Sequence, residues 1–138
     1  MNVAEAGRQA GLTAKAVRFY EAEGLLRPAR AANGYRIYGD EDVHRLRFLA
    51  RSRALGFSIE DCRRLLDLYD NKGRSSSEVK ALTENRIGDI DRRIAEMREI
   101  RRVLMQLSNS CHGDNRPDCP ILDDLAEEPM HQRTDDAA

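Results

Sequence analysis

A chain of 138 residues, 41% hydrophobic, 34% charged and without Trp, has room for one compact domain or two small units. No apolar run approaches the roughly 20 residues a spanning helix needs. The opening MNVAEAGRQAGL lacks the basic-then-apolar order of a secretion signal, so the cytoplasm is the expected compartment and no membrane is expected as a partner. Three cysteines in that compartment do not read as a disulfide framework.

The net charge of −1 conceals an asymmetry. Residues 1–58 carry ten Lys and Arg against six Asp and Glu, giving +4; residues 59–138 carry thirteen against eighteen, giving −5. A basic head joined to an acidic remainder points to a head that meets phosphate while the rest does something else.

Val3, Ala6, Ala10 and Leu12 recur at helical spacing, and Gly11 marks a stop. Thr13 then stands where an N-cap belongs, and Gly24 follows Glu23 at the next stop position. Two short helices about a tight turn make a helix-turn-helix, whose second helix can enter a major groove. Val17 and Leu25 are expected to pack inward, with Thr13, Lys15, Arg18 and Tyr20 facing outward. Residues 33–38, NGYRIY, follow Pro28 and read as a hairpin around Asn-Gly. A hairpin there is a wing, with Tyr35 and Arg36 at its tip to meet backbone phosphate.

Asp40 reads as the cap of a third helix reaching about Leu55, apolar at Val43, Leu46, Leu49 and Ala50. Its other face shows Arg45, Arg47, Arg51 and Arg53, a strip suited to phosphates. Ser58 and Asp61 suggest a capping box for a fourth helix ending near Tyr69, with Cys62 as a small buried hydrophobe within it. Ser75 and Glu78 suggest a second box, and the pattern then stays helical to about Asn109. Ile87, Ile90, Ile94, Met97, Ile100, Leu104 and Leu107 form a heptad-like seam too narrow to be buried by so small a chain. The economical partner is a second copy, in an antiparallel two-fold coiled coil that spaces two heads for a palindromic site.

Cys111 and Cys119 bracket a loop containing Gly113, Asp114, Pro117 and Asp118, and Pro120 suits the first position of a short closing helix to about Leu125. Thiolates at the two ends of a small loop can face one soft ion. Zn²⁺ takes four ligands, or three and water. Two sulfurs alone suit linear Cu(I), Ag(I) or Au(I), leaving a net −1 that a nearby cation or helix N-terminus would offset. His112 is a neighbour of Cys111 whose side chain is expected to diverge from it. A divalent Zn, Cd or Pb sensor, a thiol redox switch and a metal-storage protein stay open as other uses of the pair. No catalytic set is present, and the chain does not read as an enzyme.

With these residues in view, the chain resembles the MerR family of transcription regulators over about residues 1–126, and within it the copper-efflux regulators of the CueR/HmrR type. GLTAKAVRFYEAEGLL and NGYRIY resemble the family's recognition helix and wing, RALGFSIED the segment into the next helix pair, and CHGDNRPDCPIL the copper-type loop. The resemblance implies a mainly α chain. A winged helix-turn-helix head (1–70) would precede a long antiparallel coiled-coil dimerisation helix (75–109), a metal-binding loop with short helix (110–126) and a disordered tail (127–138). It implies one Cu(I) per subunit on Cys111 and Cys119, with Ag(I) or Au(I) as substitutes. Ser76 would stand where divalent-metal sensors place a third cysteine given by the other subunit, and Lys80 would balance the anionic site. Lys15, Arg18, Tyr20, Tyr35 and Arg36 match family DNA-contact positions, with Arg53 as a further phosphate contact. The implied action is on double-stranded promoter DNA: a homodimer distorts an overlong spacer so that RNA polymerase reads both of its elements.

Overall fold

The computed structural model describes residues 1–114 and 117–127; the tail expected to be disordered lies, from residue 128 onward, outside the described residues. The chain forms two compact units, Met1–Ile87 and Gly88–Ala138.

In the first unit, α1 (Val3–Ala10) begins where the Asn2 side chain accepts from the Glu5 amide, and it ends at left-handed Gly11. The turn into α2 (Ala14–Ala22) is tight because the Leu12 amide donates to the Gly7 carbonyl at 2.8 Å. A Cβ on Gly7 would lie 2.6 Å from the Leu12 carbonyl oxygen, so only glycine permits this approach. Thr13 caps α2, its hydroxyl accepting from Ala16 N at 3.1 Å.

The wing is an antiparallel pair, β1 (Ala29–Arg30) and β2 (Arg36–Ile37), with Ala29 opposite Ile37 and Arg30 opposite Arg36. Its connection runs over residues 31–35, longer than a two-residue Asn-Gly turn. Asn33 holds it by accepting from the Tyr35 amide, and Gly34 takes the positive φ of 86°. Arg36 therefore stands in the strand rather than at the tip.

α3 (Asp40–Ala54) starts one residue earlier than a cap at Asp40 would place it. Gly39 is the N-cap, and Asp42, three residues on, reaches back to accept from the Gly39 amide at 2.8 Å. α4 (Ile59–Asp70) follows a turn through Gly56, capped by Ser58 accepting from Asp61 N. α5 (Ser76–Ser110) begins within this unit. The expected box at its start does not close, because Arg64 of α4 takes the Glu78 carboxylate in an ion pair. Ser75 Oγ instead meets Ser77 Oγ at 2.6 Å.

One core holds these elements. Val17, Leu46, Leu49 and Leu66 are almost fully buried, as are Tyr38 and Cys62. Each large apolar side chain so buried contributes about 1.5–3 kcal/mol. The helix ends are tied by arginines from later in the chain. Arg47 of α3 donates to Gln9 O, Arg63 of α4 to Glu23 O, and Arg86 of α5 to Leu55 O. Arg74 donates to Tyr69 O at the close of α4. Carbonyls at a helix C-terminus lack intrahelical partners, and cationic donors there meet both their hydrogen-bond need and the negative dipole end.

In the second unit α5 continues to Ser110 with no buried residue. Ile94, Met97, Ile100 and Leu104 lie 44–64% exposed along one face, a stripe that this chain leaves uncovered. The other face is held within the helix, Arg102 bridging Glu99 and Gln106. The short α6 (Pro120–Ala126) opens with proline in its first turn, as its sequence suggests.

Candidate DNA-reading surface and thiolate site

The structure sorts the head's cations by whether they already have a partner. Arg30 and Arg36 pair with Glu21, Arg45 with Asp70, and Arg47 with a backbone carbonyl. Arg53 donates to Phe57 O at 2.9 Å, so the expected strip on α3 is largely engaged in holding the fold. Among the described residues of the head, Lys15, Arg18, Arg27 and Arg51 make no hydrogen bond or ion pair through their side chains. Lys15 and Arg18 stand three apart on α2, both exposed, on one helical face. The surface that remains available for phosphate is therefore centred on α2.

Tyr20 corrects the reading of that helix. It is 6% exposed and packs into the core beside Phe19, ring centroids 5.7 Å apart, so it does not face outward with Lys15 and Arg18. Helical spacing explains this: Tyr20 lies three residues from Val17, on the face of α2 that joins the core. Thr13 is exposed, yet its hydroxyl serves the helix cap. Tyr35 projects from the wing, 75% exposed.

Glu21 was not singled out in the sequence and organises this surface. Its carboxylate takes Arg36 Nε at 2.5 Å, Arg30 at 3.7 Å and the Tyr38 hydroxyl at 3.5 Å. It thereby pins the wing to α2. The paired carboxylate raises the Arg36 pKa above its ordinary value, and burial raises that of Tyr38. No local pattern announces Glu21, because its partners lie nine or more residues away.

The cysteines divide as expected in part. Cys62 is fully buried in α4, and desolvation pushes its thiol above the usual range. Cys111 and Cys119 are free and half-buried; Cys111 directly follows α5 and Cys119 is the N-cap residue of α6. His112 is exposed. Among the described residues, no group of three or more His, Cys, Asp and Glu is placed to hold one ion. Cys111 and Cys119 offer two soft sulfurs, a chemistry that suits a soft ion. Ser76 and Lys80 lie exposed in the first turns of α5, Lys80 Nζ standing 3.9 Å from Glu84.

A helix-turn-helix with a wing, free cations on the second helix and a long helix with an open apolar stripe define a DNA-binding transcription regulator, not an enzyme. Residues 1–69 match the family described as "MerR HTH family regulatory protein", and residues 43–107 match "MerR, DNA binding". The transcriptional regulator HmrR of Rhizobium leguminosarum bv. viciae is 52% identical over 127 residues, covering 92% of this chain and 98% of that protein. CueR of Salmonella typhimurium is 40% identical, covering 91% and 92%. Among solved structures, the transcription regulator PbrR691 from Ralstonia metallidurans CH34, in complex with lead(II), superposes with a TM-score of 0.81. It is 37% identical, over 91% of this chain and 99% of that one. The chain belongs to the MerR family. No described helix is long and apolar enough to cross a membrane.

Proposed function

We propose that this protein is a cytoplasmic, metal-responsive transcription activator that senses Cu(I), with Ag(I) and Au(I) as substitutes, and acts as a homodimer on a copper-efflux promoter. The observation that carries the metal is the donor set: two half-buried free thiols at Cys111 and Cys119, with no third donor grouped with them among the described residues. Two thiolates with a monovalent ion leave a single negative charge, which Lys80 of the partner helix would offset. Ser76 has no thiol to add as a third ligand. Cys111, just after α5, and Cys119, which opens α6, would hold the ion, and its binding would tie these two points of the chain together.

The chain's own residues do the rest. Lys15 and Arg18 of α2 meet phosphate and base edges in the major groove, and the wing meets the backbone through Tyr35 and the donors that Arg36 has left beyond the Nε held by Glu21. Arg53 keeps one bond to Phe57 and offers its remaining donors to phosphate. Pinning the wing through Glu21 fixes the distance between these two contacts before DNA arrives. The paired α5 helices hold two heads at a fixed spacing on the duplex. Untwisting the promoter spacer to suit RNA polymerase costs deformation energy on the order of several kcal/mol, which the protein–DNA contacts must offset.

The test is an anaerobic Cu(I) titration of the reduced protein with alkylation of its thiols, alongside transcription in vitro at buffered metal concentrations. About one Cu(I) per subunit, protecting Cys111 and Cys119 together, is expected. Cys119→Ser should keep promoter binding and lose the copper response. A full copper response in that variant sinks the ligand assignment, and a response to Zn(II) or Pb(II) at lower free concentration than Cu(I) replaces copper with a divalent ion.

A further inference from the structure

We propose that Arg86 is a positioning residue through which α5 sets the turn between α3 and α4, and so the reading helix. The inference rests on the metal-responsive reading above and names the joint that such a response needs. Arg86 Nε donates to the Leu55 carbonyl at 2.9 Å. Leu55 is the C-cap of α3, and Gly56 beside it holds φ at 85°. A Cβ on residue 56 would fall 2.7 Å from Arg86 Nε, and relieving that clash would remove the guanidinium from Leu55. The left-handed backbone calls for glycine at position 56, and its missing side chain leaves room for the guanidinium to reach Leu55.

From this turn the connections run onward through hydrogen bonds and an ion pair. Arg53 Nη1 donates across the turn to Phe57 O at 2.9 Å, and Ser58 caps α4. One turn into α4, Arg63 Nη1 donates to Glu23 O at 2.7 Å, holding the C-terminal end of α2, while its neighbour Arg64 pairs with Glu78 of α5. α4 therefore grips the reading helix with one arginine and α5 with the next. Arg86 is the arginine of α5 in this set, and α5 is the element whose far end leads directly into Cys111. A shift of α5 that moves the Leu55 carbonyl moves the start of α4 and the end of α2 with it. Packed and hydrogen-bonded elements of this kind transmit displacement when they have two discrete arrangements.

The test compares wild type, Arg86→Ala and Arg86→Lys on a promoter fragment selected by the wild-type protein. Three quantities are read: Cu(I) bound per subunit, affinity for the fragment without metal, and the ratio of transcription with saturating Cu(I) to that without. For Arg86→Ala the first two are expected to stay within about twofold of wild type, while the ratio falls about fivefold or more, the lower end of typical allosteric coupling. Arg86→Lys, which keeps the charge but has one compact donor in place of the planar fork, is expected to give an intermediate ratio. A contact that served stability alone would lower the melting temperature and leave the ratio unchanged. Should Arg86→Ala fail to fold, Arg86→Lys decides: a wild-type ratio in the lysine variant overturns the assignment. If wild type itself gives no response to Cu(I), the copper reading fails, a result distinct from a responsive wild type matched by both variants.

Discussion

Ile100 is the most direct place to test how the second unit completes itself. It is 53% exposed on the open face of α5, between Met97 and Leu104. Fully burying an isoleucine is worth about 1.5–3 kcal/mol, so covering the remaining half contributes about 1 kcal/mol. In a two-fold pair each substitution is made twice. Ile100→Ala therefore weakens the dimer by about 2 kcal/mol, roughly 30-fold in its dissociation constant. Ile100→Asp adds an unpaired carboxylate to a dry seam in both copies, at several kcal/mol each, and the loss exceeds about 10⁴-fold. Glu99→Ala is the control, since Glu99 sits on the opposite face and bonds only to Arg102 of its own helix. Sedimentation equilibrium across a wide concentration range measures all three. If Ile100→Asp sediments as wild type does, the stripe is not the dimer seam and the coiled-coil reasoning is wrong.

Two further outcomes follow from the electrostatics of the head. Burial raises the thiol of Cys62 above its ordinary 9.0 and the hydroxyl of Tyr38 above its ordinary 10.0. The folded state therefore keeps protons that the unfolded chain releases, so stability is full below pH 9 and falls as pH rises through these values. Urea midpoints should decline from about pH 9 upward, and Cys62→Ala should flatten the first part of that decline; midpoints that rise with pH contradict the sign. Lys15 and Arg47 are both cations of the basic head, but only Lys15 is free. Lys15→Ala is expected to reduce the slope of log affinity against log salt by about one, while Arg47→Ala leaves the slope alone and lowers the melting temperature. Equal slopes in the two variants would remove the distinction between binding and structural cations.

Most of the fold could be read from local signals. Thr13, Ser58 and the positive-φ glycines mark helix ends through contacts three or four residues long, and those boundaries hold in the structure. The apolar period of α5 was equally plain, because nothing in the chain competes for that face. Failures occurred where a distant partner outbid a near one. Glu78 left its expected box for Arg64, fourteen residues earlier, and Arg36 turned to Glu21 across the wing. Tyr20 went inward because amphipathic side chains present an apolar body that a small core recruits, whatever their polar tip suggests. In the second unit, the sequence marks Cys111 and Cys119 only as two thiols flanking a loop that holds Gly113 and Pro117, and their joint use stays a proposal.

The charge asymmetry of the sequence now has a different meaning from the one composition alone gives. A surplus of +4 over residues 1–58 looks like a surface spread for phosphate. In the structure, arginines close the C-terminal ends of α1 to α4, and others hold the wing or the α3–α4 turn. A guanidinium suits that work, since its fork satisfies carbonyls in two directions while its stem lies along apolar surface. The free cations shrink to a few, and two of them share one face of the helix that the fold presents for reading. Specificity then needs only that this face be held rigidly, which the surrounding arginines accomplish. Net charge thus locates the DNA-binding half of the chain, while the pairing of each cation decides which residues are left to bind.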